Sequence, residues 1–532
     1  MEKDKRVIVV ENSRSLARIG VQMGLVGKIL SDKEDAFLKP KQIVLRCETT
    51  KGMKEFVVNS DVEELFIKGF SIVRVSPNLR RMWTLRRRSN PPIQIRENNK
   101  ISVLHSEIDQ LRNLIKLDLK EHILTHLPAE IGQLTNLTYL NLSDNQLTNL
   151  PKEIRQLTNL TMLGLRCNEL THLPSEIGQL TNLVKLDLLG NQLTDLSKEI
   201  GQLTNLTMLG LCCNELTHLP SEIGQLTNLV KLDLLGNQLT NLPKEIGQLT
   251  NLTYLDLSNN QLTDLPKEIG QLTNLTYLDL LKNQLADLPK EIGQLTSLTK
   301  LSLKSNRLTN LPKEIGQLAN LAYLDLSNNR LTNLPKEIGQ LTNLTYLDLS
   351  NNQLTDLPKE IGQLTKLTYL HLSNNQLTDL PKEIGQLTNL PDLDLSNNQL
   401  TDLPAEIGQL TNLTNLNLSN NQLTDLPVEI GQLIDLQELN LHSNRLTNLP
   451  AEIRQLTILT YLYLSNNQLT AIPMEFGQIL PGYVYLDLSN NQLTNLPKEI
   501  GQLTNWELDL RNNPISDLEK EKIKILLPYC EI

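Results

Sequence analysis

The chain has 532 residues, a net charge of −10, five cysteines and only 3% aromatic residues. So few rings beside so many leucines exclude an ordinary core built on large aromatics, and the cysteine spacing, with no CxxC pair, excludes a disulfide-stapled or paired-cysteine metal fold. No segment approaches the ~20 apolar residues of a membrane span, and the start, MEKDKRVIVV, has an apolar run shorter than the ~7–15 of a secretory leader; a reducing, cytoplasmic setting is the expectation.

Charge divides unevenly along the chain. Residues 1–92 hold 19 Lys and Arg against 11 Asp and Glu, and the remainder holds 31 against 49. The basic head reads as a small α+β domain. Strands are expected at 6–10 (RVIVV), 42–48 (QIVLRCE), 55–59 (EFVVN) and 70–76 (FSIVRVS), with helices over 13–30 and 61–68. The stretch GVQMGLVGKI (20–29) resembles a phosphate loop only loosely, since that loop needs Ser or Thr after GK and Ile29 stands there. The head ends in NLRRMWTLRRRSNPP, where Arg80, Arg81, Arg86, Arg87 and Arg88 surround Trp83. Three readings stay open for it: a solvated linker beside Pro91–Pro92, a candidate basic contact for nucleic-acid phosphates and a base, or a surface that docks on the acidic remainder of this or a neighbouring chain.

From about residue 93 the chain repeats itself. In LTNLTYLDLSNNQLTDLPKEIGQ (249–271) an Asn sits at the pivot, and that pivot recurs every 23 residues from Asn145 to Asn467, then at Asn491 and Asn513. His122 takes the pivot of the first clear unit, giving 18 units, with a degraded one before them near 91–111. Leu252, Leu255, Leu257, Leu262, Leu265 and Ile269 are candidate core, because one unit cannot bury so many leucines without stacking on its neighbours. The pivot Asn is placed to satisfy backbone groups where the chain leaves the strand. Pro266 opens the second half, a short helical or 3-10 turn, and KEIG gives that turn a polar face and a Gly stop. The array is expected to span 93–513. A capping element over 514–532 follows, with Ser516 and Glu519 as a capping box and Leu518, Ile523, Leu526 and Leu527 on the apolar side of a helix.

This pattern, LxxLxLxxNxL followed by LPxEIGxL, resembles the leucine-rich repeat family, and in its second half the subclass of Ras-group-related intracellular and bacterial repeat proteins. The resemblance implies an α/β fold: a curved solenoid with a parallel sheet on its concave face and short helical or 3-10 turns on its convex face, here preceded by the small α+β head.

Alternation within a strand then sorts the letters of YLDLS (254–258). Leu255 and Leu257 face the core, whereas Tyr254, Asp256 and Ser258 are expected in three solvent-facing columns. The Asp column would repel itself by roughly 1–3 kcal/mol per neighbour, which folding alone does not require, and Tyr is enriched at binding surfaces. The candidate partner-binding residues are therefore Tyr254, Asp256, Tyr277, Asp279, Tyr323, Asp325, Tyr346, Asp348, Tyr369, His371, Tyr461 and Tyr463. Tandem copying weakens this argument, because residues 160–190 and 206–236 are nearly one sequence. The rungs that depart from the copied phrase, at 369–463, with Asp392, Asn415, Glu438 and His442 among them, are the sharper clue.

No cofactor, metal or catalytic group is expected. His126, His172 and His218 share one phase of the repeat at steps too wide for one zinc ion. The adjacent Cys212 and Cys213 are expected to point to opposite sides, or into the turn, as products of drift between copies. The many Asn-Leu-Thr triplets, such as 136–138 and 251–253, belong to the repeat phrase. The function expected is a non-enzymatic scaffold that binds a protein or peptide with a basic surface through an acidic, Tyr-rich concave face. The alternative is a two-part regulator in which the repeats sense a ligand and the head acts on nucleic acid or in an oligomer.

Overall fold

The computed structural model describes residues 100–475, 484–502, 506–527 and 530–532, together with the backbone of four strands at 7–10, 42–49, 52–59 and 64–67. It divides into two compact units, Met1–Leu262 and Thr263–Ile532.

The first unit opens with β1 (Val7–Val10), β2 (Gln42–Thr49), β3 (Gly52–Asn59), β4 (Glu64–Ile67) and β5 (Ile101–Leu104). β2 pairs antiparallel with both β3 and β5. β4 replaces the helix expected over 61–68: it pairs in parallel with β1 and with the first repeat strand. A three-residue apolar run, Leu65 to Ile67, carries no usable period, so pairing decides its state. The helix expected over 13–30, the strand expected over 70–76 and the Arg–Trp tail at 80–88 lie outside the described residues.

Seven repeat strands complete this unit: β6 (Lys116–Asp118), β7 (Tyr139–Asn141), β8 (Met162–Gly164), β9 (Lys185–Asp187), β10 (Met208–Gly210), β11 (Lys231–Asp233) and β12 (Tyr254–Asp256). They form a parallel ladder in which equivalent letters face each other, as Leu232 faces Leu255 and Asp233 faces Asp256. The second unit repeats the arrangement with β13 (Tyr277–Asp279), β14 (Lys300–Ser302), β15 (Tyr323–Asp325), β16 (Tyr346–Asp348), β17 (Tyr369–His371), β18 (Asp392–Asp394), β19 (Asn415–Asn417), β20 (Glu438–Asn440), β21 (Tyr461–Tyr463), β22 (Val484–Asp487) and β23 (Trp506–Asp509). Each ladder is open, and five-residue 3-10 turns such as Lys267–Gln271 and Lys336–Gln340 return the chain from one strand to the next. A Pro sits at the cap of both turns. Its fixed φ and missing N–H suit an entry where no backbone donor is needed.

The leucines pack as the period requires. Leu255, Leu257, Leu262 and Ile269 have no solvent exposure, and each buried side chain of this size contributes ~1.5–3 kcal/mol. The pivot Asn holds consecutive rungs together. Asn352 donates from Nδ2 to the carbonyls of Leu326 and Leu349, both at 3.0 Å, and accepts at Oδ1 from the Leu331 N–H at 3.0 Å. His122 does the accepting half of this work in the first unit, taking the Ile101 N–H on Nδ1 at 3.2 Å. The residue before the pivot is left-handed, φ 56° at Asn351, which Asn tolerates better than most residues.

The Gly of the KEIG phrase has another role than the expected stop. The turn runs on to Gln340, and a Cβ on Gly339 would lie 2.5 Å from the Glu360 carbonyl of the following rung. The small residue permits close stacking of the turns rather than ending them.

At the C-terminus α1 (Asp517–Leu526) forms where a cap is expected, with the Ser516 side chain accepting from the Glu519 N–H. Ile523 and Leu527 are buried, but Leu518 is 67% exposed and does not join the apolar side. Glu531 then pairs with the last strand: its carbonyl accepts from Leu510 N–H at 2.7 Å and its N–H donates to Leu508 at 2.9 Å. No helix among the described residues is long and apolar enough to cross a membrane.

Candidate strand-face interaction site

The three expected surface columns are not equally displayed. In the Asp column, Asp256, Asp325 and Asp348 are only 7%, 4% and 5% exposed. Each Oδ1 accepts both the N–H and the hydroxyl of the Ser two residues on: 3.0 and 2.6 Å for Ser258, 3.0 and 2.6 Å for Ser327, 3.0 and 2.7 Å for Ser350. Asp279 takes the Leu281 N–H at 2.9 Å in the same way. The ladder of acids, expected to be displayed and uncompensated, is therefore largely a row of Asx-type turns that steer the chain out of each strand. The Ser column is buried with it.

The outer oxygens also have donors. The Tyr254 hydroxyl donates to Asp256 Oδ2 at 3.3 Å and that of Tyr277 to Asp279 Oδ2 at 3.1 Å. Burial nevertheless raises the Asp325 carboxyl, against the hydrogen bonds from Ser327 that lower it. Asp233 is pushed up to about 6 by burial and by the adjacent Asp256.

The Tyr column is the part presented to solvent. Tyr323, Tyr346 and Tyr369 stack at successive centroid distances of 4.2 and 4.2 Å with interplanar angles of 11° and 6°. His371, in the Asp column of the same strand, lies beside the end of the row, 4.5 Å from the Tyr369 ring and with Nδ1 2.9 Å from the Tyr369 hydroxyl. Burial, with Asp325 beside it, raises the Tyr323 phenol to about 12, and burial together with the contact to Tyr369 raises Tyr346. At the other end of the row Lys300 sits over both Tyr277 and Tyr323, 4.9 and 4.8 Å from their centroids. In the first unit Lys231 lies over Tyr254 at 4.3 Å. Tyr461 is 42% exposed and parallel to Tyr463 at 6.4 Å.

Between the two aromatic groups the column changes to Asp392, Asn415 and Glu438. The shorter side chains leave a depression of about 180 Å³, lined by His371, Asp392, Asp394, Asn415, Asn417 and Glu438 over Leu416. Burial and the Asp394 charge raise the Asp392 carboxyl, against His371, which lowers it. Asp394 and Asn417 keep the turn-forming role of their column, accepting the N–H groups of Ser396 and Ser419. Asp392, Asn415 and Glu438 carry no such role. The signal for this depression is legible in the sequence as the one interruption of the Tyr row by short polar residues.

Of the remaining sequence features, the Asn-Leu-Thr asparagines tie rungs together, as Asn251 donates to the Thr227 carbonyl at 2.9 Å. His126, His172 and His218 each contact the hydroxyl of the preceding Thr. His442 meets the Ser465 hydroxyl at 2.7 Å, but Ser465 is 3% exposed and this is a rung-to-rung tie, not a presented nucleophile. Arg80, Arg81, Trp83, Arg86, Arg87 and Arg88 lie outside the described residues.

Comparison with known proteins agrees with this architecture. A family model described as a leucine-rich repeat region matches residues 130–209, 190–276, 243–322, 312–378 and 359–421, and a leucine-rich repeat model matches 411–469 and 457–515. A leucine-rich repeat protein of Leptospira interrogans is 45% identical over 82% of this chain and 95% of that one, with a TM-score of 0.56. The Arabidopsis receptor kinase HAESA, solved in complex with the peptide hormone IDA and the co-receptor SERK1, is 31% identical over 77% of this chain and 76% of its own, with a TM-score of 0.57. The plant peptide hormone receptor RGFR1, in complex with RGF2, is 32% identical over 79% and 77%, also at 0.57. No curated protein matches the chain.

Proposed function

This chain belongs to the leucine-rich repeat family, and from that premise we propose that it is a protein–protein interaction module that binds a basic protein or peptide along its strand face without transforming it. The observation that carries the reading is the stacked row Tyr323–Tyr346–Tyr369 running into the acidic depression at Asp392, Asp394 and Glu438. Rigid stacked rings lose little side-chain freedom on binding, and with their faces turned on one another they present a row of ring edges to a ligand. The carboxylates beyond them supply charge complementarity, which sets orientation and on-rate. HAESA and RGFR1, with the same fold, were solved with peptide hormones, which supports a peptide or protein as the ligand class here. A reducing compartment suits the free cysteines Cys167, Cys212, Cys213 and Cys530.

The test compares the full chain with the variant Asp392→Asn, Glu438→Gln, which leaves the turn-forming Asp394 in place. The probes are fluorescent octa-arginine and octa-glutamate peptides, followed by anisotropy. Octa-arginine is expected to bind the native chain, to lose about tenfold in affinity in the variant, ~1.4 kcal/mol, and to weaken as salt rises. Octa-glutamate should not bind. Equal affinity of both chains for octa-arginine would sink the acidic-depression reading. Changing the turn-forming Asp256, Asp325 and Asp348 instead would confuse binding with stability.

A further inference from the structure

Cys212 and Cys213 lie just beyond β10, after Leu211, and their sulfurs lie 3.1 Å apart. Side chains of adjacent strand residues point to opposite faces, which is why separate orientations are one expectation from the sequence. The turn defeats it: Cys213 is left-handed, with φ 59°, and its side chain swings back toward its neighbour. The local rung explains the rest. In several other rungs the residue in the third column is a Ser whose hydroxyl binds the Asp two residues before it, as Ser258 binds Asp256 and Ser327 binds Asp325. Here Gly210 stands in place of that Asp, so the Cys212 side chain has no carboxylate on its own strand and turns to Cys213. The rung two units earlier has Gly164, Arg166 and Cys167 at these positions, and its Arg166 hydrogen-bonds Cys167 instead. One residue difference between copies thus converts an Arg–Cys contact into a dithiol.

We propose that Cys212 and Cys213 are a redox-modification site that closes to a reversible vicinal disulfide, with hydrogen peroxide as oxidant. The Cys213 thiolate attacks the peroxide oxygen; the O–O bond breaks, Cys213 becomes a sulfenic acid and hydroxide leaves, taking up a proton to give water. The Cys212 sulfur then attacks the Cys213 sulfur, the S–S bond forms, the S–O bond breaks and a second water leaves with the Cys212 proton. Two thiols lose two hydrogens in total and one peroxide is reduced to two waters. The order follows from the contact between the sulfurs. A hydrogen bond from Cys212 holds the Cys213 thiol below its ordinary range, and the same contact, with burial, raises Cys212. A thiolate is the attacking form.

The sulfurs need to approach by about 1 Å to reach bonding distance, ~2.05 Å. Adjacent Cα atoms are ~3.8 Å apart, short of the ~4.4–6.8 Å of unstrained bridges. The product is therefore of the strained class that thiols reduce readily, which suits a switch better than a permanent staple. Both residues are nearly buried, 2% and 6% exposed, so a small oxidant reaches them where a protein thiol does not.

The experiment treats the native full chain with hydrogen peroxide, blocks free thiols and digests with trypsin without reductant. The fragment 199–231 contains Cys212 and Cys213 and no other cysteine. It is expected to appear without two hydrogens and unlabelled, and to regain both thiols on treatment with glutathione. Cys212→Arg recreates the pair of the earlier rung and should abolish that form, leaving Cys213 blocked or singly oxidised. A trivalent phenylarsine, which needs two thiols, should protect the native pair from peroxide, and this readout stands even if Cys212→Arg does not fold. Persistence of both thiols at peroxide that oxidises glutathione overturns the proposal. So does oxidation to separate sulfinic acids, closure only in urea, or bridging between chains.

Discussion

The residue that most constrains this molecule is the pivot Asn. Asn352 satisfies one N–H and two carbonyls from two rungs, inside a core that excludes water. Each such group left unpaired costs ~1–3 kcal/mol. Asn352→Ala is therefore expected to destabilise by about 2–5 kcal/mol, measured by urea unfolding followed by circular dichroism. Asn351→Gly, one residue earlier, keeps the left-handed φ and should change stability by no more than about 0.5 kcal/mol. Asp233 makes a prediction of opposite sense. Its folded value, about 6, lies above the ordinary carboxylate value of 3.8, so the folded chain holds a proton that the unfolded chain has released. Stability contributed by this group is then greatest below pH ~4 and falls as pH rises toward ~6. Asp233→Asn should stabilise the chain at pH 7 by about 1–2 kcal/mol, after allowance for its partial exposure, and should gain nothing at pH 4. An equal gain at both values would refute the ionisation account.

At the scale of elements, the unit of construction is one strand and one 3-10 turn, and neither is stable alone. The three-residue strands and five-residue turns exist because the preceding rung supplies partners for their backbone groups. The 23-residue period, the inward leucines, the Pro-opened turn and the capping helix are all legible in the sequence, because each repeats or follows a local rule. Three other features are not. β4 forms in place of a helix because its partners come from distant segments. Gly339 reads locally as a stop but is fixed by the carbonyl of the next rung. Leu518 fits the apolar pattern of α1 yet lies in solvent, because periodicity marks a face without saying how far the neighbouring surface extends. In α1, Ile523→Ala is expected to cost about 2–4 kcal/mol, whereas Leu518→Ala should cost no more than about 0.5 kcal/mol. Hydrogen exchange of the amides of α1 would report both.

For the whole chain, charge is the dominant non-local quantity. Residues 93–532 carry 31 basic against 49 acidic side chains, and many of the acids recur at one step per rung. Self-repulsion of this kind opposes folding and is relieved by salt. Between about 0.01 and 1 M sodium chloride the screening length falls from ~30 to ~3 Å, and the melting temperature should rise over that range. The same salt is expected to weaken binding of a basic ligand, so stability and affinity should move in opposite directions. A melting temperature independent of salt would show that the buried hydrogen bonds of the Asp column have already absorbed the repulsion.

By itself the sequence determined the family, the period, the identity of the core and the position of the aromatic column, because tandem copies make every local preference visible many times over. The tertiary structure decided what the columns are for. It turned the Asp ladder inward as turn-forming acceptors, stacked the tyrosines, opened the depression at Asp392–Glu438 and brought two sulfurs together after β10. The physical reason is the same in each case: strand alternation says which face a side chain takes, but its exposure, its partners and its ionisation depend on the rungs above and below, which lie one full period away in the chain.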